Sequence, residues 1–415
     1  MRLSWFIANR LGSGKQKKRG LGSVGNVIAI ISVAISILII IIALAVSKGF
    51  KIELKEKMTG FMGDVTVSPA GGYGFSDLSV LKLGPLPNKE KILSLPFVKS
   101  IQSISLRPAM IKTDDQIQGV VLKGVDSTFD WNFLKSSLLE GTIPSNKEED
   151  SQVLISKRIA DMLSLSLNDK ITVYFVSQEV RVRRLTVSGI YSAQLENYDK
   201  LYLICSKALI NRINGWEEEE CSNYQILFND HNEKLFKERR NQISQLVYEA
   251  IPDNGYAVRI SGVYEDLGHL IDWLKLLDMN VLIILILMIA VAGFNMVSCV
   301  LIILFENISS IGVLKSLGMK NSGIKRVFLA KCSKTVFYGL VLGNILSIAF
   351  CLLQAKYKFL HLNPDNYFIS YVPIDISWWT ILLANIICFA ALMLILLIPA
   401  HYISRIQPSK TLNIK

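Results

Sequence analysis

Apolar residues in this chain gather into a few long runs. Uncharged stretches occupy Val27–Val46, Met279–Phe305, Thr335–Gln354 and Trp378–Ala400. Each reaches the roughly 20 residues a helix needs to cross about 30 Å of hydrocarbon. Only a helix or a closed barrel satisfies its backbone hydrogen bonds at that depth. The pattern predicts a membrane α-helical protein with four transmembrane helices. Between the first and second lies Ser47–Asp278, patterned like an ordinary water-exposed domain, so the fold class is four spans with a large extracytoplasmic α+β domain between helices 1 and 2.

The first run could be a cleaved signal sequence, since Ala43-Leu44-Ala45 resembles a peptidase site. Signal cores are usually about 7–15 residues, and Val27–Val46 is longer, so the run reads as a retained anchor.

Inside the large segment, Asp64–Ser68, Gln118–Leu122, Lys170–Val176, Val180–Ile190 and Tyr224–Phe228 alternate or cluster β-branched and aromatic residues, as strands do. Helical spacing appears at Lys157–Ser164, Ser206–Ile213 and Glu233–Ala250. These predict an α+β domain of two subdomains, with Val176–Val180 as a hairpin turn leading into Arg181, Arg183 and Arg184. At its edges, Val263, Leu267, Leu270, Leu274 and Leu277 form a seam within Gly262–Asp278, and Phe50, Leu54 and Met58 continue the first helix outward. Two helical stalks are expected, with interfacial helices lying flat as the alternative.

Composition agrees with a membrane protein: of 415 residues, 51% are hydrophobic and 19% charged, and the mean hydropathy is +0.38. The net charge of +11 is unevenly placed. Residues 1–26 hold Arg2, Arg10, Lys15, Lys17, Lys18 and Arg19 without an acid; 306–334 hold Lys315, Lys320, Lys325, Arg326, Lys331 and Lys334 against Glu306; 401–415 hold Arg405, Lys410 and Lys415. The large domain has a slight acidic excess and the 355–377 loop is neutral. Basic residues near helix ends mark the cytoplasmic side. Both termini and the 306–334 loop are therefore expected in the cytoplasm, with the large domain and the 355–377 loop outside. A nucleic-acid tail is the competing reading of the charge, but no aromatic-interleaved basic patch accompanies it.

Motifs for chemistry fail on context. Gly20–Gly25 has dinucleotide-fingerprint spacing but follows a basic run instead of a strand. Gly14-Lys15 resembles the end of a phosphate loop, yet Asn9 replaces its first glycine and Gln16 its hydroxyl residue. This chain is thus expected to be no enzyme and to carry no cofactor; any ATP-driven work, with its magnesium, would need a partner. His231 and His269 lie near no nucleophile motif, Glu217–Glu220 reads as a solvated loop, and no metal site is expected. Cys299, Cys332, Cys351 and Cys388 read as packing residues in or beside the membrane; Cys205 and Cys221 are a candidate disulfide pair in an oxidising compartment.

After the second span, Ile308, Ile311, Leu314 and Leu317 recur at helical spacing, Gly318 supplies a stop, and Asn321 or Ser322 a cap for the next helix. This short amphipathic helix lies either in the headgroup layer or against a soluble partner.

With those residues, the chain resembles the permease subunits of lipoprotein-releasing ABC transporters, the LolC/LolE type within the MacB/FtsX-like group. The resemblance runs over nearly the whole length. It is carried by FIANR at Phe6–Arg10, SKGF at Ser47–Phe50, the run Val291–Met319, YFISYVPIDI at Tyr367–Ile376 and PAHYISRIQP at Pro399–Pro408. Within the domain, VLISKRIADMLSLSLNDKITV and SGIYSAQLENYD add to it.

The resemblance implies an inner-membrane permease dimer, of identical or different subunits, driven by a cytoplasmic ABC ATPase dimer, with acylated lipoprotein as cargo and a periplasmic carrier as recipient. Glu306, Ile308, Ile311, Gly312, Leu314, Lys315, Leu317 and Gly318 would form the ATPase coupling helix. Ile37, Ile41, Phe50, Met279, Leu282 and Leu285 would line a lipoprotein cavity between helices 1 and 2. ATP-driven motion of the external domain would do the work. Two departures stand out: the hairpin at Val176–Leu185 is short where carrier-docking relatives extend it, and Asn307 stands where the family has a basic residue. The alternatives are a MacB-like efflux permease for peptides or drugs and an FtsX-like signalling permease that activates cell-wall hydrolases.

Overall fold

The computed structural model describes residues 21–71, 81–113, 116–144, 151–175, 180–230, 233–251, 257–266, 268–306 and 316–404. The chain divides into two compact units. One holds residues 1–51, 273–361 and 371–415; the other holds 52–272 and 362–370.

Helix α1 (Leu21–Met62) is unbroken over 42 residues and extends past the end of its apolar run. In the second unit follow β1 (Val65–Pro69), α2 (Lys89–Leu93), β2 (Val98–Lys112), β3 (Ile117–Val125), α3 (Asn132–Ser137), β4 (Leu138–Gly141), β5 (Gln152–Ser156) and α4 (Lys157–Leu163). Then come β6 (Lys170–Phe175), β7 (Arg181–Tyr191), α5 (Glu196–Asp199), β8 (Tyr202–Ser206), α6 (Lys207–Asn214), β9 (Asn223–Phe228), α7 (Glu233–Tyr248), β10 (Val258–Gly262) and α8 (Val263–Asp266).

The strands make one ten-stranded sheet in the order β10-β1-β9-β2-β3-β8-β5-β7-β4, and β6 pairs with both β2 and β7. That second pairing closes β2, β3, β8, β5, β7 and β6 into a ring, while β1, β9 and β10 extend from β2 as an antiparallel wing. The expected two subdomains are therefore two parts of a single sheet, joined along β2. Inside the ring, Ile111, Leu122, Val153, Ile171, Phe175, Val187, Leu203 and Cys205 form the core, closed by Ile159 and Leu163 of α4 and Leu209, Ile210 and Ile213 of α6. Both helices start directly from a strand end, and Ser156 caps α4 by accepting from the Ile159 N–H at 3.1 Å.

In β2, Pro108 lies between the stretch that pairs with β9 (Val98–Ile104) and the stretch that pairs with β6 (Met110–Lys112). On that edge no ladder partner requires the N–H that proline lacks.

The first unit contains α1 up to Lys51, α9 (Gly268–Glu306) from Trp273, α10 (Asn321–Tyr357) and α12 (Trp378–Ser404); α11 (Pro364–Tyr367) lies in the second unit. Among the described residues, four helices are long and apolar enough to cross a membrane: 25–62, 272–302, 321–357 and 378–400. The third helix is longer than the run Thr335–Gln354 indicated, beginning inside the basic segment. Its N-cap is Lys320, with no side-chain cap bond, in place of the expected Asn321 or Ser322. Gly318 has φ of +87°, the left-handed geometry that suits glycine after a helix end. The second stalk is helical over Val263–Asp266 (α8) and from Gly268 onward (α9), Leu267 lying outside the described residues; Val263 and Leu274 of its seam are buried.

Candidate functional site

Within the membrane unit, α10 is set directly on α1. A Cβ on Gly343 would lie 2.0 Å from Ile37 Cγ2 and 2.6 Å from the Ala34 carbonyl oxygen, and one on Gly339 would lie 2.7 Å from Val33 Cβ. Small residues allow this close backbone approach in membrane helices. Polar side chains fasten the bundle as well. Thr335 donates to Asn26 at 2.6 Å, Asn295 to Ser32 at 2.7 Å, and Asn344 and Asn385 exchange bonds of 2.7 and 2.9 Å between α10 and α12.

Along the apolar run of α9, the buried positions among the described residues fall in its second half. Ala292, Met296, Cys299 and Val300 are buried, and Gly293 leaves room for Ile395. From Lys275 to Val291 no residue of α9 is buried. The first membrane half of α9 thus presents an apolar surface that α1, α10 and α12 do not cover.

The six expected cavity residues do not share one surface. Met279 and Leu282 are exposed and Leu285 is half-buried on α9. Ile37 and Ile41 belong instead to the core of the helix bundle, and Phe50 is buried with its ring edge-on to Trp273. The reason is geometric: α1 turns Ile37 toward the glycines of α10, which an all-apolar run does not reveal.

At the end of the α1 apolar run, two stretches that carried the family resemblance meet. Lys48 pairs with Asp375, the Asp375 N–H donates to the Ala45 carbonyl at 3.1 Å, and a Cβ on Gly49 would lie 2.8 Å from Pro373 backbone. Lys51 pairs with Asp278 on α9. SKGF and VPID are thus contact surfaces of α1 and the segment leading into α12. The contact residue Asp375 was not among the sequence candidates, since only its proximity to Lys48 in space marks it.

Of the expected coupling helix, Ile308, Ile311, Gly312, Leu314 and Lys315 lie outside the described residues. Glu306 ends α9, and Leu317 is 79% exposed. The Val176–Glu179 part of the hairpin turn also lies outside them; its return strand presents Arg183 and Arg184 to solvent.

Cys205 and Cys221 are both free thiols. Cys205 packs inside the strand ring, while Cys221 bridges to Leu83 beside the start of β9, so the expected pair is not formed. Burial pushes the Cys205 thiol well up and the Cys221 thiol to about 11. Both are inert as nucleophiles in the fold. Among the described residues no group of three or more His, Cys, Asp or Glu could hold a metal.

In the second unit, the last turn of α1 is enclosed by side chains from distant elements. Gly60 leaves space for Phe133, Phe61 lies against Tyr198 and Tyr202, and Thr66 donates to the Met62 carbonyl at 3.3 Å. Asp199, accepting from the Gln194 N–H at 2.9 Å, is driven up to about 6, chiefly by burial.

Residues 27–213 match the family described as MacB-like periplasmic core domain, and residues 282–408 the FtsX-like permease C-terminal family. The chain thus joins four apolar helices and an inserted α+β domain, the two parts being similar to FtsX-like permeases and to the MacB-like periplasmic core respectively. The resemblance to the LolC/LolE type holds over nearly the full length. The chain is 22% identical to "Lipoprotein-releasing system transmembrane protein LolC" of Xylella fastidiosa, covering 96% of each chain. It is 22% identical to "Lipoprotein-releasing system transmembrane protein LolE" of Haemophilus influenzae, covering 100% of each. Among solved structures, the periplasmic region of MacB from Actinobacillus actinomycetemcomitans aligns with 14% identity and a TM-score of 0.34, over 52% of this chain and 95% of that one.

Proposed function

We propose that this chain is the permease subunit of an inner-membrane ABC transporter that extracts acylated lipoproteins and releases them toward the outer membrane. Its near end-to-end similarity to LolC and LolE proteins carries the reading. The uncovered apolar surface of α9, from Met279 to Val291, supports it, because acyl chains leaving a bilayer need an apolar surface reached from the side.

In this reading a cytoplasmic ABC ATPase dimer supplies the energy and a second permease subunit, identical or different, completes the complex. Both termini face the cytoplasm, as the placement of basic residues indicates. The segment from Glu306 to Gly318 presses on the ATPase. The joint of Lys48 and Gly49 with Asp375 ties α1 to the segment before α12, so that the membrane helices move together. Lipoprotein passes on to a periplasmic carrier.

The test is a reconstituted complex with its ATPase in which Leu314 or Leu317 is replaced by Asp. ATP hydrolysis is expected to persist while lipoprotein release per ATP collapses; unchanged coupling would overturn the reading. Photo-crosslinkers at Met279 and Leu282 are expected to capture acylated lipoprotein, and capture of a cell-wall hydrolase or a free peptide in its place would point to the rival classes.

A further inference from the structure

Residues Leu362–Ser370 stand in sequence between the third and fourth membrane helices, yet they form one compact unit with residues 52–272. The loop closes on itself: the Leu362 N–H donates to the Ser370 carbonyl at 3.0 Å and the Phe368 N–H to the Pro364 carbonyl at 2.8 Å. Ile369 is fully buried. The Phe368 carbonyl accepts from Lys57 Nζ on α1 at 3.0 Å.

The same ammonium donates to Gln194 Oε1 at 2.6 Å. Both partners carry unusual backbone: Phe368 and Gln194 each have φ of +59°. A bulky residue in the left-handed region is an outlier that persists only where its surroundings hold it. Two such residues, far apart in sequence, meet at one lysine. Gln194 also gives its N–H to the buried Asp199, so the acceptor side of the contact is itself fixed.

We propose that Lys57 is a positioning residue that fastens the 362–370 loop to α1 where that helix enters the external domain. Displacement of the third and fourth membrane helices then reaches the domain through this loop, in parallel with α1 and α9. The fastening stands on the geometry alone, and its use in transmission rests on the proposed function.

Hydrogen exchange on the full-length chain in lipid nanodiscs tests the fastening. In Lys57→Met the amides of Leu362 and Phe368 should exchange about tenfold faster, with β1, β9 and β10 unchanged; Lys57→Arg, still a donor, should stay near wild type. Wild-type protection of the loop in Lys57→Met, or an equal loss across the strands, would overturn it. Should Lys57→Met not fold, Gln194→Leu removes one of the two acceptors and should speed Phe368 exchange by about threefold; no change there also overturns it.

Transmission is read in the complete complex: release per ATP should fall about fivefold in Lys57→Met at unchanged hydrolysis, and equal release per ATP defeats it. A wild-type complex that releases no lipoprotein at all counts against the proposed function while leaving the exchange result in force.

Discussion

Lys123, buried on β3, donates from Nζ to the carbonyl oxygen of Phe61 at 2.5 Å, in the last turn of α1. That carbonyl has no intrahelical partner at a helix end, so a strand residue 62 positions away caps the helix. The amine also contacts Gln225 Oε1 at 3.3 Å and sits over the rings of Phe61 and Phe129. The end of α1 and β3 therefore form one piece.

Desolvation drives Lys123 from 10.5 down to about 7. Unfolded, the amine keeps its proton up to its ordinary value, so between pH 7 and 10.5 the unfolded chain binds more protons and stability rises with pH across that window. Raising the pH from 7 to 9 should stabilise the α+β domain of the full-length chain in detergent by roughly 2–3 kcal/mol from this group. Lys123→Met should remove that part of the slope. Identical pH profiles for the two chains would mean that Lys123 is not desolvated.

Gly343→Ala puts a methyl carbon against Ile37 and the Ala34 backbone, where only a shift of α10 makes room. Overpacking of this kind costs about 1–3 kcal/mol, and a lower unfolding midpoint in detergent is expected. Gly119→Ala is the control, because nothing lies within 4 Å of the added carbon.

The reciprocal bonds between Asn344 and Asn385 predict coupling between α10 and α12. A double-mutant cycle with leucine at both positions should give about 0.6–1.7 kcal/mol. A value near zero would show that lipid-facing packing alone joins these helices.

All six cysteines are free. Mass spectrometry after alkylation under denaturing conditions should therefore count six thiols, with or without prior reduction. Alkylation of the native chain should leave Cys205 unmodified, as its burial in the ring demands.

Much of the architecture was readable from periodicity. The four apolar runs and the strands β6, β7 and β9 stand out because their patterns are long or strictly alternating. β2 was hidden by Pro108, whose position between two pairing partners only the assembled sheet explains. β5 and β8 are five-residue apolar stretches, which periodicity cannot separate from pieces of helix. Closure of the ring depends on β6 finding β2 from 60 or more positions away, and no local signal encodes that. For the candidate site, the resemblance pointed to Met279 and Leu282, which are exposed, but the apolar pattern could not orient α1. Its run is apolar all round, so Ile37 and Ile41 carried no mark of the face they occupy. Lys57 and Lys123 resemble any surface lysine until their partners are in place.

The loop that Lys57 holds has a practical consequence for anyone preparing the α+β domain by itself. A soluble fragment cut at the two membrane boundaries omits nine residues that fold with it, among them the fully buried Ile369. Such a fragment would lack part of its own interior. Its aggregation or partner binding would then partly report a missing piece, and supplying Leu362–Ser370 through a designed linker is the remedy.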